Sequence, residues 1–353
     1  MAIIMIIFFA AAVGAALFGI KFQKRNGFFS DYISKQQTSS INGLFAILIF
    51  ISHVSTYIKL SGAADNAYSF IKEYLGQLVV VSFMFYSGFG IAEQIKQRGL
   101  PYIKGFFANR FLKVFYHSAL AILLYILLNA VIGRKYDLKT TLLAFTGYTG
   151  IGNSSWYIFA ILGLYLIVFV SFVICKASRL IGTVIATVLS LAFVFYQIKS
   201  GRETWSYNTI ILFPIGMWYS LIREYAEKVV LKNDFLWLGS AVICFALFAL
   251  FSFIRGSGII FYSLWAIFFM LCIVLLTMKV KIQNKALTWL GSHVFSLFIL
   301  QRLPMILLRH IGFNQYKYLF VAVCFVLTLI LSFAFDLLLQ KTDSLIYKRR
   351  TQK

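Results

Sequence analysis

The chain has 353 residues, 61% of them hydrophobic and only 12% charged, with a formal net charge of +22. A water-soluble domain of this length needs far more polar surface, so that class is excluded. The 33 basic residues are scattered through short segments between apolar runs, which argues against a nucleic-acid-binding face and for topology signals lying against anionic lipid headgroups.

The apolar runs are continuous rather than alternating, and a helix needs ~20 such residues to cross a bilayer. In lipid only helices or a closed barrel satisfy the backbone, and unbroken runs select helices. The sequence therefore reads as an all-α polytopic membrane protein. Eleven helices are predicted: 2–20, 41–59, 74–95, 111–132, 154–175, 180–198, 207–222, 235–254, 258–277, 287–309 and 316–339. The first run has no basic stretch before it, and Lys21, Lys24 and Arg25 follow it. This reads as a retained helix, not a cleaved signal peptide. Alternating from a cytoplasmic segment 21–40 puts 22 Lys and Arg on the cytoplasmic side and 10 on the other, with Arg302 inside a span. The asymmetry predicts an outside N-terminus, a cytoplasmic C-terminus and a basic cytoplasmic tail, 340–353. No loop has room for a soluble domain, and neither an internal repeat nor a pair of broken helices is legible.

The second helix carries the residue that matters most. His53 ends the run Gly43–Ser52, eleven positions after Asn42, which is about 16 Å along a helix. An ionisable side chain at membrane depth is expensive and reads as a functional site by default. A neutral imidazole can take a proton from a hydroxyl and return it to a leaving group. A histidine hydrogen-bonded to a neighbouring helix is the structural alternative.

In the third helix, Ser82–Gly90 places Ser87 beside Gly88; close helix packing accounts for it as well as a direct role for Ser87. Glu93 follows and reads as a solvated or paired interfacial group. Arg110 and Lys113 open the fourth helix three residues apart, on one face. At a cytoplasmic entrance such a pair can hold the phosphates of an acyl-coenzyme A; ordinary positive-inside anchoring is the rival reading. Trp156 and Tyr165 belong to the fifth helix and fit an interfacial aromatic belt. Gln301 and Arg302 lie mid-run in the tenth helix and are expected to face a polar interior. Cys175, Cys244, Cys272 and Cys324 have neither metal nor redox spacing and read as small apolar packers.

Together these blocks resemble the acyltransferase family 3 membrane proteins, often O-acetyltransferases of bacterial surface glycans. The resemblance runs from about Ser39 to Leu339 and leaves the first helix as an extra. Four blocks carry it: Asn42 to His53, Phe83 to Ile91, Asn109 to Tyr116, and Leu287 to Gln301. It implies a ten-helix core at 39–339 in a bacterial cell membrane. The donor would be cytoplasmic acetyl-coenzyme A as co-substrate, with no bound cofactor or metal, and the acceptor a hydroxyl of a surface glycan or lipid-linked sugar. It implies a catalytic role for His53 alone. It leaves Asn42, Ser87, Arg110, Lys113, Trp156, Tyr165, Gln301 and Arg302 as candidate donor or substrate contacts. The chain departs from the family pattern in three places. Asn42 stands where the family has a basic residue. No Glu follows Trp156 within the block ending at Ile161. Gln301 replaces a late His. A transporter or flippase for a lipid-linked sugar or small anion, and a non-catalytic member, are the rival functions. The sequence leaves homodimer formation open.

Overall fold

A computed structural model of the chain describes residues 10, 11, 13, 14, 18–282 and 284–348. Twelve of the nineteen residues of the helix expected over 2–20 fall outside them. Near its end the backbone turns at Phe18 and Gly19 and enters a short strand, β1 (Ile20–Phe22). β1 pairs antiparallel with β2 (Val280–Ile282), Ile20 opposite Ile282.

The helices are α1 (Lys35–Val54), α2 (Ala63–Leu75) and α3 (Leu78–Arg98). Then come α4 (Leu100–Phe106), a π-helical turn (Phe107–Leu112) and α5 (Lys113–Val131). Next are α6 (Leu138–Ala144), α7 (Trp156–Ile174), α8 (Arg179–Lys199) and α9 (Leu212–Val230). They are followed by α10 (Asp234–Ile254), α11 (Ile259–Lys279), α12 (Lys285–Ser292) and α13 (Val294–Leu300). The last two are α14 (Arg302–His310) and α15 (Lys317–Lys348). Among the described residues eight helices are long and apolar enough to span a membrane, or nine with one bent pair counted as a span.

The sequence reading placed the spans well and missed their interruptions. Residues 60–73 read as a loop because Asp65, Asn66, Lys72 and Glu73 dilute the apolar pattern; the structure makes most of this stretch helix α2 and ends it at Gly76, whose φ is +44°. α9 starts five residues later than expected, at Leu212, which puts Pro214 in the first turn, where its missing N–H costs nothing. α15 runs nine residues past the expected end, into the segment expected to form a tail, because Asp343 is tied to α5. The segment expected as one helix over 287–309 is three pieces, bent by 66° at the first break. At that break the Trp289 carbonyl is taken by Ser292 Oγ at 2.7 Å and His293 Nδ1 at 2.8 Å, side chains competing with the backbone ladder. At the second, Pro304 has no N–H for the Leu300 carbonyl four residues back, and the helix interrupts at Gln301.

Two glycine seams hold the bundle. A Cβ on Gly88 would strike the Phe213 carbonyl, and one on Gly216 the Phe85 carbonyl, so α3 and α9 touch backbone to backbone. Gly43 against Leu287 and Gly291 against Ser39 do the same for α1 and α12. In lipid the hydrophobic drive between helices is absent, and small residues gain van der Waals contact instead. Gly88 is thus a packing residue, and Glu93 is paired, accepting from Ser220 Oγ at 2.6 Å.

Candidate active site

α1 is capped by Ser34, whose side chain accepts from the Gln37 N–H. From Lys35 to His53 is eighteen residues, about 27 Å. His53 therefore lies in the last turn of α1, close to one end of the span and not near its middle. Ser55 N–H closes that turn on the His53 carbonyl, and Thr56 Oγ1 donates to the same carbonyl at 2.7 Å.

The break between α13 and α14 brings Gln301 and Arg302 to the ring. Gln301 is buried, and its side chain reaches the imidazole. Its amide nitrogen donates to the Phe298 carbonyl at 3.0 Å. The charges of Arg302 and Lys72 also act on the ring. Lys72 Nζ donates to Ser55 Oγ at 2.8 Å. Tyr125 OH takes the Ile299 carbonyl at 2.8 Å and steadies the broken segment. Among the described residues, His53 Nδ1 and Arg302 Nε are buried and have no hydrogen-bond partner. Unsatisfied buried polar atoms are costly, and a substrate is one thing that satisfies them.

A cavity of about 140 Å³ lies between α3, α5, α7 and α13. Phe298 forms one wall and carries the His53 ring on its other side, 6.2 Å between centroids. Val80, Phe83 and Ser87 line it from one face of α3. At the far end Ser87 Oγ and Tyr165 OH are 3.3 Å apart. Beyond Tyr165 stands Arg110, whose charge acts on Tyr165 and Tyr102. Arg110 sits in the π-helical turn, an irregularity frequent at functional sites. Arg110, Tyr165, Ser87, the cavity, its wall Phe298 and His53 thus follow one another as a line of neighbours. Next to Ser52, the residue before His53, opens a vestibule of about 560 Å³ lined by Ser52, Lys72 and Gln77 among others.

The other candidates have different surroundings. Lys113 is 2.6 Å from Asp343 on α15, and His117 Nε2 is 3.0 Å from the same carboxylate. Asn42 accepts from Ser82 Oγ at 3.1 Å, so it joins α1 to α3, well away from the ring. Trp156 is buried rather than belted against lipid, edge-on to Trp205 at 6.2 Å. Its neighbour Tyr157 is the one that faces the cavity. All four cysteines are free.

Sequence reading missed a second polar group in the bundle. Asp336 accepts from Ser296 and lies 3.7 Å from His293 Nε2, while Asp343, two turns on along α15, holds His117 and Lys113. Carboxylates seven apart at the end of an apolar run were a legible signal. Asp336 lies inside the helix expected over 316–339, and only Asp343 lies beyond it.

No curated protein and no solved structure matches the chain. An acyltransferase-domain model of family 3 matches residues 40–337, well over half the sequence and including every element of the His53 line. The chain belongs to the acyltransferase 3 family of multi-pass membrane proteins.

Proposed function

We propose that the protein is an integral-membrane O-acyltransferase. It moves acetyl from cytoplasmic acetyl-coenzyme A to a hydroxyl of a bacterial surface glycan or its lipid-linked precursor. The carrying observation is the position of His53 between Phe298, which walls the cavity next to the Arg110–Tyr165–Ser87 line, and Ser52, which lines the vestibule. On this reading the basic end, with Arg110, faces the cytoplasm and holds donor phosphates. Lys113 adds charge there while tied to Asp343. The acyl group lies in the cavity with its thioester carbonyl towards Phe298 and the ring.

His53 takes the proton of the acceptor hydroxyl as its oxygen attacks the thioester carbon. The tetrahedral oxyanion is met by the Gln301 amide or the Arg302 guanidinium. Collapse breaks the carbon–sulfur bond, and the imidazolium returns the proton to the leaving thiolate. Ester and thiol are formed with no net proton released. Gln301 supplies a neutral dipole where the family carries a histidine.

The segment α12–α14, bent at its first break and interrupted again at Gln301, favours one rival, since interrupted helices beside a buried site are a transporter feature. Labelled acetyl transfer to a glycan extract separates the two, with purified wild type and His53→Ala compared. Label in the glycan with wild type alone supports the enzyme. Substrate flux in liposomes without transfer supports the transporter. Neither transfer nor donor binding leaves a non-catalytic member.

A further inference from the structure

We infer that the vestibule is a carbohydrate subsite in which an uncharged pyranose lies on Trp205, and that Gln77 and Lys72 bind its hydroxyls. This rests on the acyltransferase reading for its link to catalysis and on the vestibule itself for its chemistry.

The vestibule has about 560 Å³ and lies within the usual range of small-ligand sites, about 300–1,000 Å³. Its floor reaches the reacting centre. Ser52 precedes His53 on α1, and Lys72, whose charge acts on the imidazole, lines the wall. Its lining is unlike that of the inner cavity. The inner cavity is aliphatic and aromatic with Ser87 and Tyr165 at one end. The vestibule presents Lys72 and Glu73 side by side, with Gln77, Thr204 and Asn208. A cation next to an anion gives no strong field for a charged ligand, and the amides and hydroxyl offer both donors and acceptors. That mixture suits a neutral polyhydroxylated ring better than an acyl chain or a phosphate.

Two further observations point to a ligand. Gln77 Oε1 is buried and has no hydrogen-bond partner, although the Gln77 backbone N–H is held by Tyr262 OH at 3.2 Å. An acceptor left unmet is satisfied by a donor hydroxyl. Trp205 is 45% exposed yet braced edge-on by buried Trp156. The negative face of an indole attracts the partly positive C–H edge of a pyranose. An exposed indole braced by a second ring, beside an unmet amide oxygen, is a platform of that kind.

The test uses full-length protein in nanodiscs. N-acetylglucosamine, methyl glucoside and maltose are titrated with ligand-observed NMR, with glycerol as the non-ring control. The Trp205→Ala, Trp205→Phe and Gln77→Ala variants are compared with wild type, and labelled acetyl-coenzyme A binding serves as the folding control. The expected result is ring-sugar binding by wild type, lost in Trp205→Ala and kept in part by Trp205→Phe. In transfer assays the acceptor KM rises about tenfold in Trp205→Ala and Gln77→Ala while kcat stays within about twofold. Transfer with an unchanged acceptor KM in Trp205→Ala overturns the subsite and leaves the acyltransferase standing. Trp205-dependent sugar binding without any acyl transfer supports the subsite and counts against the acyltransferase. Equal response to glycerol and to the ring sugars overturns the subsite.

Discussion

Replacing Ser87 by Phe is the sharpest perturbation of the path from Arg110 to His53. Ser87 lines the 140 Å³ cavity near its Arg110 end. An engineered apolar void of about 150 Å³ is known to admit benzene. A phenyl side chain at position 87 therefore occupies nearly the whole space the acyl group needs. Stability changes little. Burying the ring contributes about 1.5–3 kcal/mol. Loss of the long 3.3 Å contact to Tyr165 costs about 1 kcal/mol. The variant should unfold in detergent at or above the wild-type temperature. Labelled acetyl transfer should fall at least about a hundredfold, or about 2.7 kcal/mol in the barrier. Ser87→Ala keeps the space open and should stay within about tenfold of wild type. Wild-type turnover by a folded Ser87→Phe protein would refute the route through the cavity.

Other outcomes follow from the same geometry. Gly216→Ala drives a methyl into the Phe85 carbonyl on α3 and should cost about 1–3 kcal/mol, read as a lower unfolding temperature; an unchanged temperature would mean the α3–α9 seam yields without strain. Arg110→Ala should raise the donor KM about ten- to a hundredfold, the worth of a charged hydrogen bond. Lys113→Ala should raise it less, because Asp343 already holds that ammonium; equal effects in donor-binding assays would count against this division of roles.

Much of the architecture was legible in the residues themselves. Composition requires a membrane protein, and the unbroken apolar runs select helices over a barrel as the way to satisfy the backbone in lipid. The isolation of His53 in its run marked it, since an imidazole at that depth has a cost that must be offset. Gln301 and Arg302 were marked for the same reason. Four family-like blocks in order pointed to the family that residues 40–337 match.

What the sequence did not determine is which of these groups meet. Asn42 and His53 share a helix at a suggestive spacing, yet Asn42 pairs with Ser82 and only the late residues reach the ring. Gln301 and Arg302 come to His53 because the segment is broken by Pro304 and by side chains at His293, and hydropathy cannot see a break inside an apolar run. Asp336 and Asp343 acquire partners only because α15 lies against α5 and α13. The vestibule is built from α2, the segment around Trp205 and the start of α11, stretches far apart in the chain that read separately as loop or helix. Local sequence fixes helix and polarity through short-range backbone and solvation energies. Cavities and residue partners come from packing between distant segments, which only the tertiary structure decides.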